Sequence, residues 1–267
     1  MFKTTMLITC LFTIGCTNEV EIESLLSFHK PPRDKQGLTP LHLASFQGNL
    51  DTLKSLLSEG ADSKTRDLRG LTPLHLAKTY AVVKALLSSG APANSRDSLL
   101  LSPLHLARTR AVAEALLDNG AQIEAKNQDL FTPLHCAVIQ NRIEVVEFLI
   151  EKGAQINARA RNSMTPLHWA ALKGCDKIVK LLISKGAEVS AGNRYKLTPL
   201  HEAATRGIVA ELLEAGAELE ARDIFGMTPL HLAKNAEVAD EMINAGANVM
   251  AKDRSGRTPL QMVAPVQ

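Results

Sequence analysis

The chain has 267 residues, a formal net charge of +2, and 45% hydrophobic against 22% charged residues. That balance is characteristic of a folded soluble protein and excludes a disordered one, and near-neutrality gives no electrostatic drive towards nucleic acid or an acidic membrane surface. Aromatic residues are only 4% of the chain, so small side chains must do most of the packing.

The first element is an address. Lys3 precedes a mostly apolar, uncharged run to Ile14, the order of n-region and h-region in a secretory signal. The run is too short to span a bilayer, which takes about 20 apolar residues. It ends in Thr13-Ile14-Gly15-Cys16, which resembles the lipobox of bacterial lipoproteins, with Thr13 where that family usually has Leu. The resemblance implies a signal peptide over 1–16 and lipidation of Cys16. It places the protein in a bacterial cell envelope, membrane-anchored and periplasmic or surface-facing. An ordinary signal or an uncleaved anchor is the other reading. Residues 17–37 then form a short tether and a capping helix, because Glu21 to Phe28 puts Ile22, Leu25 and Leu26 on one face.

From residue 38 onward one unit repeats. Thr-Pro-Leu-His or a close variant starts at Thr39, Thr72, Ser102, Thr132, Thr165, Thr198, Thr228 and Thr258, at gaps of 33, 30, 30, 33, 33, 30 and 30 residues. In the first unit Thr39 is a good N-cap, and Pro40 at the first helical position loses no hydrogen bond. Gly48 breaks this first helix. Leu50, Leu53, Leu56 and Leu57 give the second helix one apolar face, and Gly60 ends it. A polar stretch from Asp62 to Leu71 leads to the next Thr-Pro. The units at Thr72, Ser102, Thr198 and Thr228 are three residues shorter, so a shortened first helix or a tighter inter-helix turn is expected there, with the stack intact.

Helix, tight turn, helix and long turn, with T-P-L-H-x-A on the first helix, resembles the ankyrin repeat. The resemblance covers 38–267 as seven repeats and a C-terminal half-repeat cap. It implies an all-α repeat solenoid of stacked helix-turn-helix units, with the long turns projecting as hairpin fingers. The finger Asp (Asp34, Asp67, Asp97, Asp223, Asp253) becomes Asn127, Ala160 and Asn193 in the middle. The finger Gly (Gly37, Gly70, Gly226, Gly256) becomes Leu100, Leu130, Ser163 and Lys196. Less regular central fingers are therefore expected.

Chemistry is sparse. Seven of the eight histidines occupy the motif: His42, His75, His105, His135, His168, His201 and His231. Neighbouring helices lie about 8–10 Å apart, too far for a histidine row to converge on one metal at about 2 Å. The resemblance gives these histidines a structural role, bonding backbone and joining finger to helix. Cys136 replaces a motif Leu and reads as a buried, inert thiol; Cys175 follows Gly174 at a turn and reads as exposed. No phosphate loop, nucleophile elbow or zinc-type cysteine pair occurs, so neither a catalytic residue nor a cofactor is expected.

The residue before each motif Thr is apolar in seven of eight cases, Leu38 to Met227, and either packs finger on finger or meets a partner. The fingertips add Leu68, Leu99, Tyr195, Ile224 and Phe225, and apolar residues in a row often mark an interaction site. In the ankyrin family, fingers and first-helix face form the binding surface. The first-helix candidates are Phe46, Lys78, Tyr80, Arg108, Arg110, Lys173 and Arg206. The expected function is a monomeric, non-enzymatic scaffold that holds a partner protein along these residues. A secreted factor acting on host proteins, or a regulatory subunit of an enzyme, are the alternatives.

Overall fold

The computed structural model describes residues 36–263. The signal, Cys16, the tether and the capping helix of 21–28 lie outside the described residues. The chain divides into two compact units, Met1–Ala154 and Gln155–Gln267.

In the first unit, α1 (Pro40–Gln47) and α2 (Leu50–Ser58) form one helix pair. Then come α3 (Pro73–Leu76), α4 (Tyr80–Ser88), a 3₁₀ turn at Pro103–Leu106, α5 (Arg110–Asp118), α6 (Pro133–Ile139) and α7 (Ile143–Glu151). First helices pack on first helices and second on second, and the apolar row between them is the core. Leu41, Leu53, Leu74, Leu86, Leu104, Leu116, Leu134 and Leu149 are all buried, each contributing about 1.5–3 kcal/mol by leaving water.

The second unit repeats the plan with α8 (Pro166–Lys173), α9 (Asp176–Ser184), a 3₁₀ turn at Pro199–Glu202 and α10 (Arg206–Glu214). A 3₁₀ turn at Pro229–Leu232, α11 (Ala236–Asn244) and α12 (Pro259–Val263) complete it. Leu167, Ile178, Leu182, Leu200, Ile208 and Leu212 form its core. No strand occurs among the described residues.

The missing three residues come out of the first helix, as expected. The long first helices α1 and α8 have eight residues, whereas the short units keep a single turn of four. Without that last turn the chain enters the second helix at once, and a side-chain cap opens that helix in every short unit, as Asn49 does in the long first repeat. Thr79, Thr109, Thr205 and Asn235 supply it, each side chain accepting the N–H three residues on. The deletion also strips carbonyls of their helical donors. Arg142 donates one guanidinium nitrogen to Leu106 O and Ala107 O at 3.0 and 2.7 Å, closing that gap from the next repeat.

This placement corrects part of the candidate set. Tyr80, Arg110 and Arg206 are the first residues of second helices, not members of the first-helix face.

Candidate interaction surface

Each repeat is locked by its histidine. His42 Nδ1 accepts the Thr39 N–H at 3.2 Å and lies 2.8 Å from Thr39 Oγ1. An accepting Nδ1 puts the proton on Nε2, which donates to Leu71 O at 3.0 Å in the following finger. The same Nε2 bond joins His75 to Leu101 O, His105 to Phe131 O, His168 to Leu197 O, His201 to Met227 O and His231 to Arg257 O. The ring is thus both N-cap and strut, and its neutral form is required. Burial pulls His75, His105 and His168 down to about 4.

Every finger with an Asp or Asn among the described residues is held by one side-chain oxygen. Asp67 Oδ1 accepts the N–H of Arg69 at 2.9 Å and of Leu71 at 2.8 Å. Asn127 and Asn193 make the same two bonds with their Oδ1. The Gly replacements hold the same left-handed backbone: φ is 60° at Leu100, 62° at Leu130, 60° at Ser163 and 58° at Lys196, against 78° at Gly70. The fingers at Asn127 and Asn193 are therefore as regular as the others, and the expectation fails there. The Asn cap and the turn bonds Leu100 N–H to Asp97 O and Leu130 N–H to Asn127 O impose the conformation that Gly would only permit. The exception is the finger at Ala160, which lacks a side-chain cap and has a second left-handed residue, Asn162.

A feature that the sequence reading passed over ties finger to finger. Arg66 donates one Nη1 to Gly70 O in its own finger and to Arg96 O in the next. Arg96, reaching Leu100 O and Lys126 O, and Arg222, reaching Gly226 O and Lys252 O, repeat it. The signal was an Arg immediately before the finger Asp, which reads as a solvated charge unless the guanidinium fork is given two carbonyls.

The residues preceding each Thr are packing residues: Leu38, Leu71, Leu101, Phe131, Met164, Leu197 and Met227 are all buried. Leu38 and Leu71 join Leu76, with Leu43 and Phe46 against them. Phe46 is half-buried, with the Lys78 ammonium 3.5 Å from its ring centre. Arg108 is half-buried, and Arg110 is spent on Glu151 at 2.8 Å and on the Phe148 ring at 4.9 Å.

The fingertips separate by unit. In the first unit Leu68 is 78% exposed, Leu99 39%, Leu100 47% and Leu130 46%. Backbone bonds set these tips in one row, Ser98 N–H to Arg69 O at 2.7 Å and Gln128 N–H to Leu99 O at 3.0 Å. Leu100 and Leu130 were absent from the candidates because they were read as flawed turn residues. In the second unit Phe225 is 54% exposed, while Tyr195 and Ile224 are half-buried. Tyr80 is 46% exposed but stands on α4, away from any finger.

Cys175 is buried at the start of α9, not exposed, and burial pushes its thiol up. Cys136 is buried as expected, but it is disulfide-bonded rather than a free thiol; burial at that position limits water's access to sulfur and does not decide its pairing. Trp169 is buried. One carboxylate, Glu202, is buried on a motif helix with Lys234 Nζ 3.9 Å away; burial pushes Glu202 up and Lys234 down. Among the described residues no cluster of His, Cys, Asp or Glu could hold a metal ion, and no helix is long and apolar enough to cross a membrane.

Within each unit, helix-turn-helix repeats stacked through a histidine strut and joined by capped turns define a class of interaction repeat. A family model for ankyrin repeats, in three copies, matches residues 6–97, 48–127, 78–160, 104–193, 159–223 and 200–265. The chain belongs to the ankyrin repeat family. The human ASB11 ankyrin repeat domain is similar at 30% identity, with 79% of this chain and 99% of that one covered and a TM-score of 0.73. The ankyrin repeat domain of Bcl-3, a member of the IkappaB protein family, is similar at 32% identity over 78% of this chain and all of that one, with a TM-score of 0.62. No curated protein sequence matches the chain.

Proposed function

We propose that this protein is a non-enzymatic scaffold that holds a partner protein on the apolar fingertips of its first unit, Leu68, Leu99, Leu100 and Leu130. Ankyrin repeat domains are protein–protein interaction scaffolds, which supplies the class. The observation that carries the site is that Leu100 and Leu130 are unfavourable twice over. A left-handed backbone costs an L-residue about 1–2 kcal/mol, and each leucine also keeps nearly half its surface in water. Folding alone would favour glycine, which stands at the same place in Gly70 and Gly226.

The test follows from that conflict. The double variant L100G/L130G should change stability by less than about 1 kcal/mol, since relief of strain offsets lost contact. Capture of a partner from an envelope extract by the full chain should fall at least tenfold. Equal capture by the variant would remove these tips from the site.

The proposal includes an address. The uncharged run after Lys3 and the Gly15-Cys16 pair support lipidation at Cys16, which would anchor the scaffold to a bacterial envelope membrane. Palmitate should label the wild-type chain, and Cys16→Ser should abolish the label. Labelling that survives the substitution excludes Cys16 as the acceptor.

A further inference from the structure

The tips of the second unit have a different chemistry from those of the first. Its fingers end in Arg161-Asn162-Ser163, Arg194-Tyr195-Lys196, Ile224-Phe225-Gly226 and Arg254-Ser255-Gly256, with no acidic residue among the twelve. Arg194, Lys196 and Arg254 are exposed and stand without an acidic partner among the described residues. Two other finger cations nearby are occupied: Arg222 clamps two carbonyls, and Arg257 is bound to Asp253 at 2.7 Å. The finger carboxylates Asp223 and Asp253 are buried on backbone N–H groups and cannot neutralise the tips from outside. Backbone bonds fix the tips in one row, Ile224 N–H to Tyr195 O at 3.0 Å and Arg254 N–H to Phe225 O at 2.9 Å. Phe225 lies exposed in the middle of the row, with Tyr195 beside it. Lys196 is held on a left-handed backbone where glycine would be unstrained, as are Leu100 and Leu130 in the other unit.

We infer that this row is a docking strip for an extended acidic segment of a partner protein. Cations supply attraction and orientation, and the two aromatic side chains supply desolvated contact for the segment between its charges. Packed helices lie about 8–10 Å apart, which sets the spacing of successive fingers. An extended chain advances about 3.3 Å per residue, so acidic residues at every third position meet successive tips. Duplex nucleic acid fits poorly, because the neighbouring second helices carry exposed Glu214 and Glu237 and the whole chain is only +2. The inference rests on the scaffold reading, but it uses no residue of the first unit.

The experiment uses the full chain and a fluorescent twelve-residue peptide with Glu at every third position in a Ser/Thr background. Binding by anisotropy should be measurable at low salt and should weaken at least tenfold between 50 and 300 mM salt. The triple variant R194E/K196E/R254E should lose at least tenfold in affinity, and F225S a smaller factor, with thermal unfolding of both unchanged. L100G/L130G should bind this peptide like the wild type, which separates failure here from failure of the first-unit site. Equal binding of a Gln-substituted peptide, or no effect of the charge reversal, overturns the inference. Binding confined to vesicles of phosphatidylglycerol and phosphatidylcholine also overturns it, because the strip would then be a membrane contact.

Discussion

Acidification from pH 7 to pH 4.5 is expected to unfold the array before most surface carboxylates, with ordinary values of about 3.9–4.3, are protonated. His75, His105 and His168 sit at about 4 in the folded chain, with burial the first cause, against about 6.5 unfolded. Between those values the unfolded chain binds more protons. The stabilisation is therefore full above pH 6.5 and is lost as pH falls towards 4. Each of the three histidines should cost about 3 kcal/mol by pH 4. The two in the first unit alone should remove about 6 kcal/mol, comparable with the whole stability of a typical domain. Position reinforces burial: Arg66, Arg96 and Arg159 stand near these rings and oppose a second positive charge. A proton on Nδ1 would also turn the acceptor of the Thr72, Ser102 or Thr165 N–H into a donor and break the cap. The control is written into the chain. Gln261 takes the histidine's place in the last repeat, and its Oε1 accepts the Thr258 N–H at 2.9 Å. H105Q should therefore lower stability at pH 7 yet flatten its fall between pH 6.5 and 4.5 by about one proton. Circular dichroism melts across this range measure both effects. An acid transition centred below pH 3.5 that H105Q leaves unchanged would show that the histidine struts tolerate charge.

Much of this architecture could be read from residue order, because an eight-fold recurrence averages out local noise. Thr39 to His42 specify cap, first turn and strut in four residues, and the period then places every other unit. Reasoning from preference to conformation was less secure. Leu100 and Leu130 looked like damaged turns, since leucine rarely adopts positive φ, yet the Asp97 and Asn127 caps hold the turn whatever side chain follows. Tyr80, Arg110 and Arg206 were placed one helix too early because a deletion had no visible location until the first helix was seen to end after one turn. The interaction surface was half legible. An apolar residue in a polar turn is conspicuous, so Leu68, Leu99 and Phe225 were found. Arginine in a polar turn is not: Arg66 and Arg96 stand just before the finger Asp and Arg194 and Arg254 just after the finger Asn or Asp, an offset that gains meaning only once the first pair is seen to clamp carbonyls. One kind is spent on carbonyls, the other is free for a ligand, and geometry assigns which is which.

Phe148→Ala should be the most damaging single truncation in the first unit. The same second-helix position holds Ser55, Ala85 and Ala115 in the preceding repeats, so the stack does not generally need bulk there. Phe148 is nevertheless fully buried on α7, which packs against α5. The Arg110 guanidinium lies 4.9 Å from its ring centre and the Lys152 ammonium 5.5 Å. Arg110 is held in that position by Glu151 at 2.8 Å. Truncation to Ala removes the transfer energy of the ring and leaves a void that neighbouring helices cannot fill, about 3–5 kcal/mol in comparable cores. The cation contributes less: R110A should cost about 0.5–1 kcal/mol, since the guanidinium is half in water and its ion pair with Glu151 is exposed. If the ring is the platform for Arg110, the two losses are not additive. R110A made on top of F148A should then cost almost nothing. Guanidinium chloride unfolding of the four proteins of this cycle gives the numbers. A loss below about 1 kcal/mol for F148A would mean that the repeat closes over an alanine there as it does at Ala85 and Ala115.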